Sequence, residues 1–335
     1  MATYVLRRVL WMVPTLIGIT LLLYGALRLA PGDPATVRFG ASLGAAGGGA
    51  TQGVDVESAI EKFRKKYRLD EPFLVAYGAW LLEFGRLDFG QEFSRPNVDV
   101  SDELLRRLKV TLPLALLSTL LSYLIALPLG IFSSVNQRSV IDKGITVFLF
   151  VLYSLPTFWV GLMLILIFGK TGLDLLPVIG LHDKDAALLS GWPWWRDLIL
   201  HLILPVATLT YGGLAYLSRQ MRVGMIDTIR LDYVRTARAK GLPEVKVVLK
   251  HALRNALIPI ITVFANILPI LISGSLIVEA VFGIPGMGLY AYEGLQKRDY
   301  NVVMATTTIA AVMTMLGILL SDLLYAVVDP RISYD

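Results

Sequence analysis

The sequence predicts an all-α integral membrane protein with six transmembrane helices, and three observations predict it. Hydrophobic residues make up 55% of the 335 and charged residues only 17%, too little polar surface for a soluble chain of this length. Apolar stretches of about 20 residues, enough to cross about 30 Å of hydrocarbon at 1.5 Å per residue, recur along the whole chain. Lysines and arginines concentrate in alternate connections between those stretches. The formal charge of +5 therefore reads as topology. Nucleic acid is excluded as a partner because no aromatic-basic interleaving accompanies the charge. Cysteine is absent, which excludes disulfides, thiolate metal sites and cysteine nucleophiles.

The spans lie near 9–30, 111–134, 144–169, 198–222, 257–281 and 304–328. The first could be a signal peptide, since Arg7 and Arg8 precede an apolar run and small residues follow at Ala26 and Ala30. The run from Val9 to Leu27 exceeds the usual signal core of about 7–15 residues, and Pro31-Gly-Asp-Pro34 suits a helix stop. It is taken as a retained N-terminal transmembrane helix, residues 1–30.

Orientation follows from the connections. Placing the N-terminus in the cytoplasm puts Arg7, Arg8, Arg138, Lys143, a run from Arg219 to Arg254, and Arg331 inside. The short outside loops then hold Lys170, Lys184 and Arg196 in one and Lys297 and Arg298 in the other. Residues 31–110 carry eleven basic and twelve acidic side chains, and a segment longer than about 60 residues translocates largely regardless of charge. Both termini are thus expected inside.

Residues 31–110 form a periplasmic segment in this scheme. Within it, 40–53 is Gly-rich and reads as flexible. Val56, Ile60, Phe63 and Tyr67 recur at helical spacing behind Asp55 as an N-cap, and Phe73, Tyr77, Trp80, Leu81 and Phe84 do so after Pro72. Two short amphipathic helices are predicted. They pack as a cap on the outer ends of the spans, or else dock an external partner.

Motifs for chemistry are thin. Gly169-Lys170-Thr171 ends like a phosphate-binding loop, but Leu164 stands where the first glycine is needed and the segment closes a membrane span. Gly286-Met-Gly288 lacks the strand context of a dinucleotide site. No nucleotide, metal or other cofactor is expected on this chain, and no catalytic residue. His182, His201 and His251 fall in separate loops or span ends and read as isolated structural histidines. Asp322, roughly four residues from the inner boundary of the last span, reads as a structural carboxylate reached by water or Arg331 rather than a proton relay.

Prolines 113, 128, 156, 205, 259 and 269 interrupt the spans. Each removes a backbone donor, which a bilayer tolerates only where protein or a cavity serves the freed carbonyl. Between the fourth and fifth spans, residues 232–259 form a cationic island. Asp232 to Lys240 suit a helix, Gly241 suits its C-terminal cap, and Pro243 can open a second helix in its first turn. A bare positive-inside loop explains the charge but not that capped double-helix pattern.

Arg235-Thr-Ala237, then Gly241, then nine residues to His251-Ala-Leu253 resembles the cytoplasmic loop of ABC importer permeases. The general pattern there is Glu-Ala-Ala, three residues, Gly, nine residues, Ile-x-Leu-Pro. Arg235, His251 and Arg254 depart from it in the way that peptide and nickel importer permeases do. Tyr4-Val-Leu-Arg-Arg, Ala30-Pro-Gly-Asp-Pro34, Asp88-Phe-Gly-Gln-Glu-Phe, Ser154-Leu-Pro-Thr-Phe-Trp-Val-Gly, His201-Leu-Ile-Leu-Pro, the run Gly274 to Gly288, and Asp329-Pro-Arg331 extend the likeness along nearly the whole chain. In this order they are similar to the first permease subunit of dipeptide and oligopeptide importers. Tyr292-Glu-Gly, Arg298-Asp-Tyr and Val328-Asp-Pro-Arg-Ile are also similar to the microcin C and oligopeptide branch.

The resemblance implies a five-helix permease core from spans 2–6, within residues 111–335, that carries a cytoplasmic coupling loop at 223–256. It implies a homologous second permease subunit, two ATPase subunits or one fused ATPase that bind the ATP and Mg, and a periplasmic or lipid-anchored binding protein. The setting implied is the cytoplasmic membrane of a bacterium or archaeon. Arg235, Thr236, Ala237, Lys240, Gly241, Leu242 and Pro243 would lie at or near the ATPase contact, with His251 and Arg254 anchoring the second helix. Nickel or another small solute is the alternative cargo, although no His or Met cluster favours nickel. A proton-coupled secondary transporter would show midplane ionisable groups and an internal repeat, and neither is clear. Substrate-contacting residues are not legible.

Overall fold

The computed structural model describes residues 2–45, 50–264 and 266–328, and its regular elements are helices. In chain order they are α1 (Ala2–Leu29), α2 (Pro34–Ala45), α3 (Ala50–Lys66), α4 (Phe73–Phe84), α5 (Val100–Val135), α6 (Val140–Ser154), α7 (Thr157–Phe168), α8 (Trp192–Ile229), α9 (Asp232–Ala239) and α10 (Glu244–Lys246). A π-helical turn, Val247–Ala252, leads into α11 (Leu253–Ala256), α12 (Ile258–Phe264), α13 (Ile267–Ser273), α14 (Leu276–Val281), α15 (Met287–Gln296) and α16 (Tyr300–Val328).

Among the described residues, five helical segments are long and apolar enough to span a membrane, and six if α6 and α7 count as one broken span. This is the expected number. The third span, which Pro156 is expected to interrupt, is bent by 100° between α6 and α7. Pro156 is the reason, because it cannot donate and forces Leu155 into extended backbone (ψ 131°). The Leu155 carbonyl freed there accepts the Tyr211 hydroxyl from α8 at 3.0 Å. The fifth span is a chain of short helices, α12 to α14.

The chain divides into two compact units. One comprises residues 9–109 and 290–312. Its core joins Tyr24 and Leu27 of α1, Phe63 of α3, Ala76, Tyr77 and Trp80 of α4, Phe93, and Tyr300, Val303 and Met304 of α16. The predicted apolar faces of α3 and α4 therefore pack on the spans, as the capping alternative has it. Tyr77 donates to the Ile17 carbonyl at 3.0 Å, and Tyr300 donates to that of Leu27 at 2.8 Å, so each aromatic anchor also closes a backbone acceptor on α1. Two local expectations are corrected. α3 begins at Ala50, so Asp55 lies within the helix rather than at its cap. Residues 40–45 and 50–53 of the Gly-rich stretch are helical, and 46–49 lie outside the described residues.

The other unit comprises residues 1–8, 110–289 and 313–335. Its long helices touch through glycines. A Cβ on Gly130 would stand 2.6 Å from the Ser218 carbonyl oxygen, and one on Gly224 would stand 2.6 Å from that of Ala256. Asp322 is served by Tyr4, which donates at 2.7 Å, and by Arg8 at 2.8 Å. Arg331, the partner expected from the sequence, lies outside the described residues. α1 starts at Ala2 and so brings these two donors, one turn apart, alongside α16.

Candidate coupling site

The cationic island folds as a helical hairpin. α8 ends at Ile229, and α9 starts after Leu231 turns the chain into extended backbone (ψ 149°). Thr236 returns its hydroxyl to the Asp232 carbonyl at 2.9 Å. α9 closes with Lys240 N–H on Thr236 and Gly241 N–H on Arg238. Gly241 then takes φ +73°, the left-handed conformation expected of a residue after a helix end. No atom lies within 4 Å of where its Cβ would be, so the demand for glycine here is conformational, not steric. Pro243 stands at the N-cap of α10, one position earlier than its expected place in the first turn.

The two arms of the hairpin share an apolar keel. Val234 and Ala237 of α9, Val247, Val248 and Ala252 of the π turn, and Ala256 of α11 are buried together with Met221 and Met225 of α8 and Ile260 of α12. Burying side chains of this size contributes about 1.5–3 kcal/mol each for the larger ones. That suffices to hold α9, only eight residues long, as a helix that would be marginal alone. Polar ties reinforce the keel at both ends. Arg238 is bidentate to Glu244 across the Gly-Leu-Pro turn at 2.6 and 3.1 Å, and Asn255 donates to the Tyr233 hydroxyl at 2.8 Å. The Arg238 guanidinium holds the Glu244 carboxyl below its ordinary value.

Of the residues expected at the contact, Arg235, Thr236, Lys240, Gly241 and Pro243 are exposed, and Leu242 is half-buried against the keel. Ala237 points inward at 5% exposure, so it lies near the surface and supports it without presenting a side chain to it. The period of 3.6 explains this, since Ala237 lies three positions after the fully buried Val234. His251 and Arg254, expected to anchor the second helix, lie on the second arm beside the residues that seat it. His251 is half-buried and Arg254 exposed, while Val247, Val248, Ala252 and Asn255 attach the second arm. The π turn, with one residue more than an α turn, rotates those valines inward. Tyr233, Arg238, Glu244 and Asn255 were missed. Opposite charges flanking Gly-Leu-Pro were a usable signal for Arg238 and Glu244, whereas Tyr233 and Asn255 are too far apart in sequence to give one.

The cytoplasm-side hairpin of the topology scheme and residues 182–201 lie at opposite ends of α8. At the latter end the histidines are not isolated: His182 and His201 rings lie 6.5 Å apart around Asp197. His251 lies on the hairpin. Gly286 and Gly288 pack against the Glu279 carboxylate and the Leu276 backbone, respectively. Between these ends, a cavity of about 590 Å³ is lined by Ser118, Ser122, Tyr216, Asn266 and Thr314 among apolar side chains.

Known proteins resemble this chain in sequence and in fold. Residues 126–334 match the family described as binding-protein-dependent transport system inner membrane component. Over 334 residues, and all of both chains, the sequence is 40% identical to the oligopeptide transport system permease protein AppB of Bacillus subtilis (strain 168). It is 31% identical to the dipeptide transport system permease protein DppB of the same organism, covering 99% of this chain and 98% of that one. The peptidoglycan transport system permease protein YejB of Agrobacterium fabrum is 33% identical over 100% of this chain and 99% of its own. Among solved structures, the inward-facing MetNI methionine ABC transporter superposes with a TM-score of 0.51 at 17% identity, covering 68% of this chain and 96% of that one. That likeness concerns the fold.

Proposed function

Because the chain belongs to the family of binding-protein-dependent transport inner membrane components, we propose that it forms half of the translocation pathway of an ATP-driven importer of peptides or peptide-like compounds. The observation that carries the coupling role is the hairpin of α9 to α11, with a cationic exposed face and an apolar keel seated on Met221 and Met225 of α8. A short helix fixed to a 38-residue helix moves as one lever, so a push on α9 is transmitted along α8. Arg235, Thr236, Lys240, Gly241 and Pro243 meet the ATPase; Leu242 supports the turn beneath them. ATP and Mg belong to that partner, as do the catalytic steps. A homologous second permease completes the pathway, and a periplasmic or lipid-anchored binding protein delivers cargo. Both termini and the hairpin are cytoplasmic in this reading, while residues 31–110 and 170–197 face the opposite side.

The peptide cargo is supported by the full-length likeness to oligopeptide and dipeptide permeases. The largely apolar cavity that Ser118, Ser122, Asn266 and Thr314 line suits a peptide, because its apolar wall takes side chains while a few hydroxyl and carboxamide groups match amide donors and acceptors. The test is co-expression with candidate ATPases and a second permease, followed by co-purification and uptake of labelled peptides into proteoliposomes loaded with ATP, with binding protein supplied outside. We expect a stable complex and peptide uptake that unlabelled peptide competes away and nickel does not. Failure of every ATPase to associate would sink the assignment; competition by nickel alone would replace the cargo.

A further inference from the structure

The loop between α7 and α8 meets the first turns of α8 at a cluster of imidazoles and carboxylates that the transport reading does not use. Asp197 and His201 stand one turn apart on α8, and His182 and Asp183 come to them from the loop. The His201 side chain is 1% exposed and that of Asp197 10%. His201 Nδ1 lies 2.9 Å from the Asp197 carbonyl oxygen and 3.2 Å from its carboxylate Oδ1. With its proton held on Nδ1 by the Asp197 carbonyl, His201 presents a lone pair at Nε2. That nitrogen makes no hydrogen bond among the described residues and faces the Asp183 carboxylate oxygen at 3.8 Å.

Two electron-pair donors facing each other at that distance are too far apart for a hydrogen bond. The spacing instead suits a cation between them, about 2 Å from each, which is the bond length zinc takes to imidazole nitrogen and carboxylate oxygen. Asp183, Asp197 and His201 each offer a ligand atom, and all three atoms lie within 4.8 Å of one another. The remaining contacts supply orientation. Asp197 Oδ2 accepts from His182 Nδ1 at 2.8 Å and from the Asp183 backbone N–H at 3.2 Å, fixing the loop against α8. A carboxylate or carbonyl behind the non-ligating nitrogen is the arrangement that orients metal-binding histidines. An adjoining cavity of about 710 Å³, where Asp174, Asp183 and Asp197 outnumber Lys170 and Arg196, gives an ion a way in.

We propose that Asp183, Asp197 and His201 form a binding site for a divalent first-row transition ion, zinc being the member that suits this nitrogen and oxygen donor set without redox chemistry. The ion clips the loop carrying residues 182–183 to the start of α8, opposite the hairpin end of the same helix. Its remaining coordination positions are open to water or to a ligand group arriving through the cavity.

The test uses the full-length chain in lipid nanodiscs, purified on a tag without histidine, stripped with a chelator and titrated with zinc chloride against a competing metal indicator. One zinc equivalent is expected on the wild-type protein. Asp183→Asn and His201→Ala are each expected to weaken it by about tenfold or more, on the scale of losses at ligand and supporting positions. Asp183 has 75% of its side chain exposed, so its variant tests the site without disturbing the core. A His251→Ala protein should bind zinc as the wild type does. Zinc should also raise the unfolding midpoint of the wild type and not that of Asp183→Asn. Equal zinc affinity in the wild-type and Asp183→Asn proteins, or no zinc on the wild type, would overturn the site.

Discussion

Thr111 gives its hydroxyl proton to Glu279 Oε1 at 3.2 Å and accepts the Met287 N–H at 2.8 Å, so one small side chain on α5 ties α14 to the start of α15. Glu279 is fully buried and also accepts from the backbone N–H groups of Ser275 at 3.3 Å and Leu289 at 2.8 Å. No lysine or arginine pairs with it among the described residues. Its stabilisation comes from donors on the backbone and from Thr111.

Replacing Glu279 with alanine strands those donors, at about 1–3 kcal/mol for each one left unsatisfied. Glu279→Gln keeps an acceptor oxygen in place and should cost much less. Thermal unfolding in detergent is expected to rank wild type above Glu279→Gln and both well above Glu279→Ala. A Gly286→Ala protein should resemble the alanine variant, since the added Cβ would stand 2.3 Å from the carboxylate.

At Gly241 the expected penalty is set by backbone geometry. A non-glycine residue held in the left-handed region costs about 1–2 kcal/mol, and a β-branched one more. Gly241→Asn should therefore keep most uptake, and Gly241→Val should lose it while the purified protein keeps its helix content. Wild-type uptake by Gly241→Val would remove the lever.

Arg238 and Glu244 are both part-exposed, so their pair should contribute only about 0.2–1 kcal/mol to hairpin stability. A double-mutant cycle with Arg238→Ala and Glu244→Ala measures it, and exchanging the two residues should restore the coupling energy. The sign with pH follows from Glu244, whose folded carboxyl titrates below its unfolded value. The contribution is complete above that unfolded value and fades as the pH falls through the lowered one. High salt should shrink it at neutral pH.

Asp299 behaves in the opposite sense. Burial pushes its carboxyl from 3.8 up to about 6, against the N–H groups of Ser94 and Val302 that favour the charged form, and Glu92 nearby adds to the rise. Its protonated form is favoured by folding. The stabilisation is therefore complete below pH 3.8, shrinks as the pH rises through about 6, and is absent above. In an Asp299→Asn protein this slope should vanish from the pH dependence of unfolding, while the Ser94 contact survives through the amide oxygen. An unchanged slope would assign the titration elsewhere.

Much of this was legible because membrane insertion writes itself in composition. The spans followed from apolar length, and α9 with its Gly241 cap followed from local signals. What escaped depends on partners remote in sequence. Pro156 announced a break, but its 100° size is set with Tyr211 waiting for the freed carbonyl. Asp322 was recognised as structural, yet Tyr4 and Arg8 lie more than 300 positions away. His182 and His201 looked separate because a loop, not a helical period, brings them together. In the hairpin, Val234 and Ala237 share a buried face at helical spacing that the sequence reading did not separate from the contact surface, and the π turn at Val247–Ala252 has no signature in a pattern that assumes 3.6 residues per turn.

That π turn also makes the hairpin a place where chain length can change. It holds one more residue per turn than the helices around it, so removing an exposed member such as Leu249 would return the segment to α geometry while the faces of α11 and α12 keep their direction. Elsewhere in α9 or α8, losing one residue would swing every later side chain by about 100°. Homologous permeases that are one residue shorter are thus expected to have their gap here, and a one-residue deletion library across 232–256 should find its survivors clustered at 247–252.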